Sequence, residues 1–154
     1  MKRRLGAVIA LALTAVACGG SATSDTSSAI ADGSEIHIFA ASVEAPSGVS
    51  GIAQVVADLH NASDAKDALV SVSCSCGGTA TLFEPGATKP ATSIALPSQK
   101  VVLFGPRGAR IELSHLPQPL TVGSTVNLTF SFQTAAPALA TAAVQQPGSP
   151  SPTT

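Results

Sequence analysis

The sequence predicts an all-β domain, a sandwich or barrel of short strands. Three observations carry this expectation. Apolar and polar residues alternate with period two, most cleanly where Val126, Leu128, Phe130 and Phe132 oppose Thr125, Asn127, Thr129 and Ser131. Such alternation marks a half-buried antiparallel strand. Clusters of Gly, Pro, Ser, Asn and Asp punctuate these stretches at short intervals, as turns do. Between residues 35 and 145 no segment shows a sustained helical period, which leaves packed sheets as the way to bury the apolar faces.

The elements follow in chain order. Residues 35–43 read as a strand with Ile36 and Ile38 on one face and His37 and Phe39 on the other. Residues 52–60 form a second, with Ala53, Val55, Ala57 and Leu59 opposite Gln54, Val56, Asp58 and His60. Residues 68–76 form a third, with Ala68, Val70, Val72, Cys74 and Cys76 in one row. Gly77-Gly78 reads as a tight hairpin turn returning through residues 79–84. Residues 93–96 and 100–104 are short strands around Pro97-Ser98. The stretch 105–132 supplies two more. The Ala-rich segment 138–144 has helical propensity, but its neighbours are all strands, and a last strand is expected there. The folded domain is placed at residues 35–145, followed by a disordered Pro/Ser/Thr tail at 146–154.

The N-terminus reads as an address and an anchor. Lys2, Arg3 and Arg4 precede an apolar run ending in small residues, too short to span a bilayer. Residues 1–17 therefore read as a secretory signal peptide. Ala15-Val16-Ala17-Cys18 resembles the lipobox of bacterial lipoproteins, in which the peptidase cleaves before the cysteine and the thiol carries diacylglycerol. Cys18 is the expected lipidation site, and two ester-linked chains would anchor the protein stably. Residues 18–34, rich in Gly, Ser, Thr and Asp, form the expected flexible tether. Loss of the signal leaves five basic against nine acidic residues, a net charge of −4.

Composition excludes some functions. There is no Trp or Tyr, only five Phe, and no basic stripe; a nucleic-acid partner is not expected. Nucleophile elbows, zinc-protease helices and phosphate-binding glycine loops are absent, and no enzyme activity is expected. His37, His60 and His115 lie far apart in the chain. His115 reads as a packed or rim residue sharing a face with Ile111 and Leu113, and His60 as solvated. Cys74-Ser75-Cys76 is the most unusual local feature, and three readings stay open. Two thiolates on one face suit Cu(I). Export favours a disulfide, although an i, i+2 bridge demands a kinked chain. The cysteines also serve as small apolar side chains finishing a strand.

The run from Leu59 through His60-Asn61-Ala62-Ser63-Asp64-Ala65-Lys66-Asp67 to Leu69-Val70-Ser71-Val72 resembles the PCu(A)C family of periplasmic copper chaperones. So do Gly108, Pro119-Leu120, Val122-Gly123-Ser124 and the strand from Leu128 to Phe132. The resemblance covers about residues 36–144 and implies a cupredoxin-like β-barrel. The family holds copper with a His on the strand after the third, Met downstream and a His-x-Met pair. Matched position by position, the first His falls on Phe83 and the pair on Arg110 and Glu112, while Met1 is the only methionine. These residues do not replace soft ligands, and Arg110 and Glu112, two apart on a strand, are expected to pair with each other. The family site is read as degenerate.

The expectation is therefore a lipid-anchored lipoprotein on the outer side of the cell membrane, related to copper chaperones. It would bind Cu(I) weakly or through Cys74 and Cys76 and meet a copper protein or another surface protein. The alternative is a metal-free structural or protein-interaction lipoprotein that kept the fold.

Overall fold

The structure, a computed structural model, describes residues 35–46 and 51–149. The expected signal peptide, Cys18, the tether, and residues 150–154 of the expected tail lie outside the described residues. The described residues form nine strands: β1 Ile36–Glu44, β2 Ala53–Asn61, β3 Asp67–Cys74, β4 Thr79–Phe83, β5 Ile94–Leu96, β6 Lys100–Phe104, β7 Arg110–Ser114, β8 Thr125–Phe132 and β9 Ala138–Gln145. No helix occurs among the described residues.

The strands run in the order β4-β7-β2-β1-β9-β8-β3-β5. β6 lies beside the second half of β2, and β7 beside its first half. One antiparallel layer, β4-β7-β2-β1, thus faces another, β9-β8-β3-β5. They join through a short parallel pairing of Ser42–Glu44 with Ala143–Gln145. A bulge between Phe39 and Ser42, with Ala40 at φ 50°, lets β1 serve both layers. The result is the expected all-β, cupredoxin-like sandwich closed almost into a barrel.

The core is the inner face of both layers. Ala53, Val55, Ala57 and Leu59 of β2 meet Leu128, Phe130 and Leu96, all buried. β9 shows why an Ala-rich segment is a strand here. Phe130, Leu128 and Val126 of β8 stand opposite Ala138, Ala140 and Ala142. Large side chains beside small ones fill the interlayer space without overpacking, and this tertiary fit overrides helical propensity.

Asn61 seals the open seam. It is fully buried. Its Nδ2 donates to the carbonyls of Ala65 and Leu96, each at 2.9 Å. Its Oδ1 accepts from the Ser63 N–H at 3.0 Å and the Ser63 hydroxyl at 2.8 Å. The bond to Leu96 ties the end of β2 to β5 across the gap between layers. Asp67 does similar work below it, accepting backbone N–H groups from Ala68, Thr134 and Ala135.

Three expectations are corrected. The row from Ala68 to Cys76 is broken, because a bulge between Leu69 and Ser71 turns Leu69 inward and Val70 outward. Gly77-Gly78 is not a hairpin turn. β3 pairs with β8 and β5, whereas β4 pairs with β7. The turn, closed by Gly77 N–H to the Cys74 carbonyl at 3.1 Å, carries the chain from one layer to the other. His115 does not share the face of Ile111 and Leu113. It lies one residue past β7, exposed, at φ 53°, with Nδ1 3.0 Å from the Ser114 hydroxyl.

Candidate functional site

Among the described residues, three places hold side chains that could do chemistry. The first is the end of β3. Cys74 and Cys76 are joined by a disulfide, with their Cα atoms 5.0 Å apart. The Cys76 N–H also lies 3.1 Å from the Cys74 sulfur. Ser75 between them is pinned to β8, donating its N–H to the Asn127 carbonyl at 2.9 Å while its hydroxyl accepts from the Asn127 N–H at 3.0 Å. Both cysteines are half-buried against the core. Cys76 opens on a shallow cleft of about 360 Å³, walled by Pro117, Pro119 and Leu120.

The second place is the outer face of β4 and β7. Phe83 and Arg110 are direct cross-strand partners, and Glu112 faces Thr81 one pair along. The Arg110 guanidinium lies 4.9 Å from the Phe83 ring centroid, in cation–π geometry. Its Nη2 donates to the Ala87 carbonyl at 2.7 Å, and its Nη1 lies 3.7 Å from a Glu112 carboxylate oxygen. The loop after β4 thus folds over the guanidinium, and Arg110 Nε is buried without a hydrogen-bond partner. The three residues that the resemblance matches to the family's ligand positions come together in space. Their chemistry does not fit copper. A benzene ring offers no lone pair, and a permanently charged guanidinium occupies the space between ring and carboxylate. The cysteine pair lies at the opposite end of β4, on the order of 15 Å away.

The third place was not singled out from the sequence. His37 and His60 are direct partners across β1 and β2, their ring centroids 6.2 Å apart. Both are half-buried on the outer face. Asp58 lies two residues before His60 on that face, and burial raises its carboxyl pKa above the ordinary value. Among the described residues no group of three His, Cys, Asp or Glu side chains is arranged to hold a metal ion.

The comparisons with known proteins agree with this architecture. The family model described as "Putative lipoprotein LpqE-like" matches residues 34–144. The chain belongs to the LpqE-like family. No curated protein matches it. Among solved structures, the apo PCuAC domain from PmoF1 is 25% identical, with a TM-score of 0.68, covering 76% of this chain and 98% of that one. The copper-bound PCuAC domain from PmoF2 is 24% identical, with a TM-score of 0.66, covering 76% and 97%. Cu(I)-DR1885 from Deinococcus radiodurans is 22% identical, with a TM-score of 0.63, covering 70% and 76%. The LpqE-like chain is thus related to PCuAC copper chaperone domains, as the motifs from Leu59 to Val72 and from Gly108 to Phe132 imply. The fold is shared, while the position that the resemblance assigns to copper carries Phe83, Arg110 and Glu112.

Proposed function

We propose that the protein is an exported lipoprotein, anchored through Cys18 on the outer side of the cell membrane, that handles Cu(I) through Cys74 and Cys76. It acts by binding, not by catalysis, and its partner is a copper protein or another surface protein. The lipobox-like run before Cys18 and the family description support the anchor. One observation carries the copper reading. Cys74 and Cys76 are the soft donors of the domain, and they sit side by side at the rim, next to an open cleft.

Bound to each other, these sulfurs cannot hold copper. An external dithiol must first give up two electrons and two protons, leaving as a disulfide while Cys74 and Cys76 become thiols. Cu(I) then displaces the thiol protons. Copper uptake is therefore coupled to reduction at the membrane surface.

The test is a Cu(I) competition titration of the full chain against a chromophoric chelator, with free thiols counted first. The reduced protein is expected to withdraw one equivalent and the oxidised protein none at this site. Replacing both cysteines with serine is expected to abolish the withdrawal with the fold retained. Equal withdrawal by wild type and double variant would overturn the assignment.

A second reading has its own observation. The guanidinium of Arg110, packed on Phe83 and covered by the loop at Ala87, fills the family's copper position with a structural cluster. This favours a metal-free interaction lipoprotein that kept the fold. A reduced, folded protein that withdraws no Cu(I) would select this reading.

A further inference from the structure

We propose that His37 and His60 form a two-imidazole chelate site for a divalent first-row ion, with Cu(II) the preferred occupant. The proposal stands apart from the cysteine reading, because it concerns a different layer face and a different oxidation state.

The geometry begins with register. β1 and β2 pair antiparallel, and His37 stands directly opposite His60. Directly opposed side chains on one face of such a pair have Cβ atoms about 4.5–5.5 Å apart. The two rings lie with centroids 6.2 Å apart and planes tilted by 30°. An imidazole nitrogen sits about 2.0–2.1 Å from a bound first-row ion, so two rings on one ion have centroids about 4.5 Å apart at a right angle and about 6.3 Å apart when trans. The observed separation falls inside that interval. The backbone has already brought both ligands to one face, and the chelate asks only that the two side chains turn their nitrogens toward one ion.

The surroundings suit a cation. Asp58 is one residue pair away on the same face, between Phe39 and Leu103. It supplies a carboxylate near the site without being a ligand. Val101 lies on the other side of His60, opposite it across β2 and β6. Phe39, Val101 and Leu103 are all exposed, so the two imidazoles sit in an apolar frame while water keeps access to the remaining coordination positions. Neutral imidazole binds copper, zinc and nickel, and among divalent ions Cu(II) binds nitrogen donors most strongly. Among the described residues neither imidazole makes a hydrogen bond. The Phe39 ring lies 6.3 Å from that of His37.

The experiment uses the full chain with the Cys74–Cys76 disulfide oxidised, so that Cu(I) thiolate chemistry is out of play. Cu(II) alone, and separately Zn(II), is titrated at neutral pH in a non-coordinating buffer by calorimetry. The copper complex is then examined by electron paramagnetic resonance. The expected result is one Cu(II) per chain with hyperfine structure from two imidazole nitrogens. His37→Ala and His60→Ala should each weaken binding by about tenfold or more, since either change destroys the chelate. The double variant should lose the site altogether, binding more weakly than either single one, and His115→Ala should bind as wild type. His37→Asn and His60→Asn serve where the alanine variant melts early, with the same expectation. Unchanged Cu(II) affinity in the folded histidine variants, or a spectrum with one imidazole or none, would overturn the proposal.

Discussion

Restoring three of the ligands that the family resemblance implies tests whether Phe83, Arg110 and Glu112 occupy the position of the copper site. The perturbation is Phe83→His, Arg110→His and Glu112→Met, made in a Cys74→Ser, Cys76→Ser background so that no thiolate contributes. The structure sets its cost. The cation–π contact of Arg110 with Phe83 contributes about 0.5–1 kcal/mol. The charged hydrogen bond to the Ala87 carbonyl contributes about 1.5 kcal/mol. The pair with Glu112, its side chains 31% and 21% exposed, adds at most about 1 kcal/mol after screening. Removing the buried, unpartnered Nε returns about 1 kcal/mol. Shrinking Phe83 costs about a further 1.5 kcal/mol of burial. The sum is a loss of about 3 kcal/mol, which a domain stable by about 5–15 kcal/mol survives. The assay is Cu(I) competition together with thermal melting. The apo variant should melt about 15 °C below its parent, and Cu(I) at a hundredfold excess over its dissociation constant should restore about 2.7 kcal/mol. A folded variant that withdraws no more Cu(I) than its parent would refute the reasoning that these three positions form the ligand frame.

Two further predictions concern the scaffold. Asn61→Ala takes the side-chain partner from the buried Leu96 carbonyl and from the Ser63 N–H, while the Ala65 carbonyl keeps its bond from the Ser63 hydroxyl, and should cost about 2 kcal/mol in urea unfolding; a loss under about 1 kcal/mol would mean that the seam is not held there. Asp58 has its pKa raised above the ordinary 3.8 by burial, so the folded state binds its proton more readily than the unfolded state. Its contribution is most favourable below pH 3.8 and is lost as pH rises through the raised value. Asp58→Asn should therefore be more stable than wild type at neutral pH, with the advantage vanishing in acid. A difference that grows on acidification would contradict this.

The fold was legible because its information is local. Alternation in β2 and β8 and the turn residues between strands fix which side chains face inward, and these stretches appear where the pattern puts them. Two bulges were not legible. An extra residue near Ala40 or Val70 has no mark in an apolar run, yet each one flips the faces that follow it. Partner choice was hidden for a related reason. Gly77-Gly78 permits a hairpin and a crossover equally, and only the demand of β7 for an edge partner decides between them. At the candidate sites, Cys74 and Cys76 are adjacent in sequence and needed no fold to be noticed. Phe83 and Arg110 could be connected only through the family resemblance. His37 and His60 required the register itself. Both lie on outward faces, near opposite ends of a hairpin, and folding residues 36–44 onto 53–61 would have aligned them within one residue.

That distribution bears on what the domain does. In this fold the outer face of the β4-β7-β2-β1 layer holds both the Arg110 cluster and the histidine pair, while the disulfide lies at the end of the other layer. A guanidinium covered by a loop keeps its position closed to cations by charge and by volume. The two remaining donor pairs differ in chemistry: the thiols require reduction and select a soft monovalent ion, and the imidazoles are open without reduction and favour a divalent one. If both proposals hold, Cu(II) binds at His37 and His60, and only reduction of the disulfide makes Cys74 and Cys76 competent for Cu(I). A closed Phe83–Arg110–Glu112 cluster is then compatible with copper handling, because the scaffold presents two separate pairs of donors whose selectivity follows oxidation state. Removing either pair should leave the other's affinity unchanged, since they share no strand, no hydrogen bond and no face; strong coupling between them would mean that they form one site in solution and that the separation of roles is wrong.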